Sequence, residues 1–258
     1  MRCYVGVSTR LKLATRRDIE RRVQDLLNFY KREYGYAVFA GERSYHVKNL
    51  LFTQSFVESD KLGLVLRSVL FEGYRVPIIV VIGDSGQAYV VDGHHRTIVY
   101  AWLGWRVPGL TIIVPKYRSK LVKTILDIDT VNPPDTPSEL ACWRHLVNTI
   151  RFLEKEHSRL ARLWLENIEV SKLKPTEPPI ISPSPHPTSL TCPILVYKRG
   201  EEYYVVDGHH RVCTKLLGGE RTVQAIVFTI EDREIGIIKT SKRIGCELFT
   251  IDYCRGGT

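Results

Sequence analysis

The 258-residue chain, 44% hydrophobic and 25% charged, is long enough to bury a good core as one large or two small domains. Its net charge of +9 favours acidic partners such as nucleotides, nucleic acid or anionic surfaces, without choosing among them. No run approaches the roughly 18 apolar residues of a membrane span, and Met1 to Thr15 has no apolar core of signal-peptide length, so a soluble, cytoplasmic protein with no membrane partner is expected.

The first predicted element is an amphipathic helix over residues 15–34. Thr15 and Asp18 form a capping-box-like start, and Ile19, Val23, Leu26, Leu27 and Tyr30 share one face. The other face carries Arg16, Arg17, Arg21, Arg22, Lys31 and Arg32, which suits weak, non-specific contact with nucleic-acid phosphates or simple solvation. Gly41-Glu42-Arg43 reads as a loop. A mixed α/β rhythm follows: a short strand at 50–52, a helix at 56–70, a buried strand at 78–82, a hairpin turn at 83–86, strands at 88–91 and 110–114, and a helix between those last two. Residues 127–137, rich in proline and aspartate, read as a linker. A long helix is then predicted from Thr136 as N-cap, with an apolar stripe running from Leu140 to Trp164. After a strand and turn at 168–177, six prolines between Pro178 and Pro193 exclude a regular helix. Strands at 194–197, 203–206 and 223–228, a helix near 235–244 and a strand-like piece near 249–253 complete the chain.

One pentapeptide occurs twice, as Asp92-Gly93-His94-His95-Arg96 and as Asp207-Gly208-His209-His210-Arg211, each after a β-branched and aromatic run and before a helical pattern closed by glycine. Around these copies the order of elements repeats, which is an internal duplication. The expected fold is therefore mixed α/β (α+β), with two tandem modules joined by a long helix. Residues 1–132 hold the first module and the basic helix, and residues 133–258 hold the bridging helix and the second module. Two histidines and an arginine at a helix N-terminus add positive charge where the macrodipole already supplies some, and an anion would relieve the conflict. Asp92 and Asp207 stand either to cap the helix or to face a metal ion accompanying phosphates. Alignment of the copies sets Gln54 opposite Glu177, and only the carboxylate can serve as a general base. Cys3, Cys142, Cys192, Cys213, Cys246 and Cys254 contain no C-x-x-C pair, so a zinc ribbon is unsupported, while a single methionine and high charge hint at a thermophile, where internal disulfides are less surprising.

The whole pattern resembles the ParB/sulfiredoxin superfamily. Lys172-Leu173-Lys174-Pro175-x-Glu177 followed by Val206-Asp207-Gly208-His209-His210-Arg211 resembles its archaeal free L-serine kinase branch. That resemblance implies ATP or ADP with Mg2+ as cofactors, L-serine or a similar small hydroxyl compound as substrate, and O-phosphoserine as product. It places the catalytic base at Glu177 and a catalytic, metal-positioning carboxylate at Asp207. Gly208, His209, His210 and Arg211, with Asp92, Gly93, His94, His95 and Arg96 in the first copy, would bind nucleotide. Sulfiredoxins carry a cysteine where this chain has His94 and His209, and partition-type ParB proteins add a helix-turn-helix domain not found here. The segment between acid and motif is also shorter in the second copy than in the first. A non-catalytic nucleotide- or DNA-binding protein is the alternative.

Overall fold

In the computed structural model, residues 11–179, 192–231, 234–245 and 248–256 are described. Most of the proline-rich 178–193 segment lies outside them, as do Cys3 and Cys246. Two five-stranded mixed sheets dominate. In the first, β1 (Val38–Tyr45), β2 (Leu50–Phe52), β4 (Ile78–Ile82), β5 (Ala88–Asp92) and β6 (Val107–Ile113) lie in the order β1-β6-β4-β5-β2. In the second, β8 (Ala161–Glu169), β9 (Leu173–Lys174), β10 (Ile194–Arg199), β11 (Glu202–Asp207) and β12 (Thr222–Ile230) lie in the order β8-β12-β10-β11-β9. Parallel and antiparallel pairings also correspond strand for strand. Both central hairpins carry a register irregularity at the same place, so that Asp92 is opposite Ile79 and Asp207 opposite Leu195. The mixed α/β class and the duplication are thus present in the backbone.

Each sheet is preceded by a helix that covers one of its faces. Helix α1 (Arg16–Tyr34) packs Ile19, Val23, Leu27 and Tyr30 against Ile79, Val81, Leu110 and Ile112. Its start is the expected capping box, with Asp18 N donating to Thr15 Oγ1 at 3.2 Å and Thr15 N to Asp18 Oδ2 at 2.8 Å. Helix α4 (Ala141–His157) occupies the matching place in the second module, setting Leu146, Val147 and Ile150 in one core with Leu195, Tyr197 and Phe228. The same core takes in α2 (Ser59–Phe71) and α3 (His94–Trp102) of the first module, so α4 belongs to both halves. At its C-terminal end Arg151 and Glu154 form a fully buried pair at 2.6 Å, and Glu154 also accepts from Trp102 Nε1 and Ala161 N. The remaining helices are α5 (His209–Leu217), α6 (Gly236–Ile244) and α7 (Ile251–Cys254).

Several expected boundaries move. The long helix stops at His157, where Ser158 turns left-handed at φ 51°, and Trp164 lies in β8. Its start is a 3-10 turn at Ser138–Leu140, and Thr136 donates to Asp60 Oδ1 at 3.2 Å where N-capping was expected. Phe56–Glu58 is a strand, β3, paired with β7 (Asp129–Val131) inside the expected linker, and α2 begins only at Ser59. Gly41-Glu42-Arg43 lies in β1, at a bulge between Phe39 and Glu42. The strand-like piece near 249–253 is the short helix α7. Two disulfides, Cys142–Cys192 and Cys213–Cys254, tie α4 to the approach of β10 and α5 to α7. No described helix is long and apolar enough to cross a membrane.

Candidate functional site

Each motif turns from the central hairpin into a helix through a glycine. Gly93 and Gly208 are the N-caps of α3 and α5, at φ 97° and 107°, where a side chain is strained. A Cβ there would also lie 2.6 Å from Cγ2 of Ile78 or Ile194. Neither helix has a side-chain cap, so the expected capping by Asp92 and Asp207 does not occur, and first-turn amides remain without intrahelical acceptors.

The motif charges are resolved within the fold. Arg96 is buried, donating through Nη1 to Pro77 O at 2.6 Å and through Nη2 to Asp92 Oδ1 at 2.6 Å. Arg211 is buried likewise, with Nη1 donating to Cys192 O at 2.9 Å and Pro193 O at 2.8 Å while Nη2 reaches Asp207 Oδ2. These guanidinium groups pin the motif to the loop before the central strand and leave the helix start to other donors. His94 Nε2 faces Thr53 N at 3.4 Å, and His209 Nε2 accepts from Thr176 N at 3.0 Å. Burial lowers the pKa of each to about 4, so both are neutral at pH 7. His95 is also neutral, lowered to about 3 mainly by burial, and its Nε2 accepts from Glu58 N at 3.1 Å. Only His210 among the four is exposed.

A charged or titratable side chain of the preceding helix meets the motif aspartate in both copies. Arg22 Nε lies 3.0 Å from Asp92 Oδ2, and His145 Nε2 lies 3.7 Å from Asp207 Oδ1. Nothing local in the sequence links His145 to a motif 62 residues away.

Beyond this shared frame the copies differ. Over the first motif opens a cavity of about 580 Å³, bordered by Lys12, Arg22, Lys61, Gln54, His95 and Asp92. The Gln54 amide is turned back on Phe56 O. In the second copy Glu177 stands in that position, with Oε2 3.5 Å from His209 Nδ1. Its pKa is raised by burial and by the nearby Asp207 carboxylate, against a lowering from His210. Glu177, Asp207, His209 and His210 therefore come together in one cluster. The tail holds the backbone of the acid's segment: Tyr253 Oη donates to the Glu177 backbone O at 2.7 Å, while Tyr253 and Phe249 pack edge to face beside the motif, with the Phe249 ring centroid 5.8 Å from that of His209. Tyr253 was not foreseen as part of the site, for it lies 76 residues from Glu177.

Asp207 has one oxygen on Arg211 and the other turned toward the exposed His145, which leaves it able to join a Mg2+ shell that depends mainly on phosphate oxygens and water. Among the described residues no group of three or more His, Cys, Asp or Glu is placed to hold a metal ion.

No family model matches the chain, and no curated protein matches it. Among solved structures, it is similar to the crystal structure of protein Atu1540 from Agrobacterium tumefaciens, at 16% identity and a TM-score of 0.29, over 43% of this chain and 68% of that one. A likeness at that score carries no argument about fold or function.

Proposed function

We propose that the protein is a nucleotide-dependent phosphotransferase that acts on a small hydroxyl substrate, with free L-serine to O-phosphoserine as the reaction implied by the sequence resemblance. The observation that carries this reading is Glu177, a carboxylate of raised pKa placed against the second motif beside Asp207. A base with its pKa moved toward neutrality is suited to taking a proton from an alcohol. In this reading Glu177 accepts the hydroxyl proton, Asp207 orients the hydroxyl or a Mg2+ ion, and the first-turn amides of α5 with His210 meet the phosphates of ATP or ADP. Bound Mg2+ would supply charge neutralisation on the transferring phosphoryl group. Gly208 lets the backbone approach closely, and Arg211 and His209 keep the turn in shape. In the first copy Lys12 and Lys61, beside the Arg22–Asp92 pair, favour a phosphate-bearing ligand, with Gln54 unable to act as a base. The cytoplasm, where these nucleotides are abundant, is the matching location.

The test is incubation of the purified protein with Mg2+, ATP or ADP and a panel of small hydroxyl compounds that includes L-serine. A phosphorylated product is expected. Glu177→Gln should lower its rate by about 10² to 10⁴ with the fold intact, and Asp207→Ala should cost more than Asp92→Ala. Absence of product from every acceptor, or full activity in Glu177→Gln, would overturn the proposal.

A second reading, nucleic-acid binding, is favoured by the exposed Arg17, Arg21, Lys31 and Arg32 of α1. Arg16 and Arg22 of the same helix are committed to Glu20, Glu42 and Asp92, which reduces its reach toward phosphates. Weak binding that is independent of sequence and lost with salt is the expected result; nanomolar, sequence-selective binding would reverse the ranking.

A further inference from the structure

His209 sits between a backbone donor and the candidate base. Its ring is buried, and its two nitrogens face different partners. On one side Thr176 N–H points at Nε2 from 3.0 Å. The Thr176 hydroxyl is 3.2 Å from the same nitrogen but already donates to Val205 O at 2.5 Å. A nitrogen that receives a backbone N–H cannot itself carry a proton, so the ring proton resides on Nδ1. That Nδ1 is buried and makes no completed hydrogen bond, and the Glu177 carboxylate stands 3.5 Å from it. An unmade bond of this length at a functional site is of the kind that shortens when ligand closes the site.

We infer that His209 is a positioning residue for Glu177: its Nδ1–H, held in one tautomer by the Thr176 amide, orients the carboxylate toward the substrate hydroxyl. The inference rests on the phosphotransferase reading for its purpose, though its geometry can be tested without turnover. Thr176 and Glu177 are consecutive, so one ring fixes both the backbone and the side chain of the segment that carries the base. In the first copy the amide contact is longer, at 3.4 Å from Thr53 N to His94 Nε2, and the next residue is Gln54, turned away onto Phe56 O. The complete relay therefore belongs to the copy with the acid. Burial of a donor with no partner is costly, which gives His209 Nδ1 a reason to draw Glu177 inward.

Imidazole nitrogen NMR of the full chain reads the tautomer directly. A neutral His209 with its proton on Nδ1 is expected, and a proton on Nε2 would overturn the inference whether or not any phosphotransfer is found. The Nδ1 proton should remain visible against solvent exchange in the wild type and in Glu177→Gln, and should broaden away in Glu177→Ala; equal protection in all three would show that Glu177 is not its partner. Two substitutions separate positioning from mere packing. His209→Asn keeps a donor near the Nδ1 position and loses the acceptor for Thr176, whereas His209→Gln keeps the acceptor and loses the donor. With an acceptor substrate in hand, the Asn variant should turn over about tenfold faster than the Gln variant, through kcat at similar KM. The reverse order would assign His209 to supporting Thr176 alone. If neither variant folds, the wild-type tautomer and the Glu177 exchange series still decide the matter.

Discussion

Replacing Arg211 by methionine tests whether the motif arginine is a structural pin or a ligand contact. The substitution keeps most of the aliphatic stem and removes the donors to Cys192 O, Pro193 O and Asp207. Hydrogen bonds to a charged group contribute about 1.5–3 kcal/mol each in buried settings, and the two carbonyls would be left without this donor. The Asp207 side chain is 26% exposed, so part of its ion-pair energy is recovered by water. The losses are not additive, and a net destabilisation of about 3–4 kcal/mol is expected. For a chain of this length each kcal/mol lowers the melting temperature by roughly 2–4 °C, giving a fall of roughly 6–16 °C. Thermal and urea denaturation followed by circular dichroism, run beside a nucleotide titration, provide the assay. Arg96→Met should destabilise in the same direction but by less, since Arg96 holds Asp92 and one carbonyl, Pro77 O, where Arg211 holds two. A stability change within about 0.5 kcal/mol, together with lost nucleotide affinity, would refute the reasoning and return the arginine to the ligand.

Arg151→Leu should destabilise the protein by about 3–5 kcal/mol, because it leaves Glu154 charged and buried without its partner; urea titration checks this, and adding Glu154→Leu should recover part of the loss. Stability should also fall as pH drops from about 6.5 to about 4, since the unfolded chain binds protons that His94 and His209 refuse until the folded pKa of about 4 is reached. Each histidine should contribute about 2.5 kcal/mol to that fall by pH 4.5, and a His94→Gln variant should show a shallower acid limb in equilibrium unfolding. Loss of the Cys213–Cys254 bridge, which closes a loop of 41 residues, should cost about 4 kcal/mol in the chain-entropy account, measured on Cys213→Ser against wild type.

The duplication was legible in the sequence because strand, Asp-Gly turn and helix follow from short-range patterns at both motifs. Less visible was anything that depends on protonation or on distant contacts. Two histidines and an arginine at a helix start look like a site of excess positive charge, yet burial keeps His94 and His209 neutral and Asp pairs with the arginine in each copy. Strand β1 carries little sequence signal, because exposed residues interrupt any clean alternation and Gly41 lies at its bulge. The apolar stripe of α4 continues through Leu160 and Trp164 beyond the helix end, whereas the left-handed turn at Ser158 leaves no apolar signature. Tyr253 and His145 could not be matched to the site, since only the fold brings them to Glu177 and Asp207.

The same frame surrounds two different chemical settings, and the position of the acid agrees with them. A carboxylate in place of Gln54 would face a cavity bordered by Lys12, Arg22, Lys61 and Arg96 against Asp18 and Asp92. An excess of cations in such a lining favours the ionised form and makes a carboxylate a weaker base. In the second copy, burial and the Asp207 charge act on Glu177 in the opposite direction and raise its pKa. His145 stands beside Asp207 where Arg22 stands beside Asp92 in the first copy. Under the proposed phosphotransferase reading, exchanging Gln54 and Glu177 would harm both sites by different routes: glutamate at 54 would be favoured as the ionised form, and glutamine at 177 would accept a hydrogen bond but no proton. Phosphate binding is better served by the first setting and proton removal by the second. That division follows from side chains outside the motif, since the five motif residues are identical in both copies.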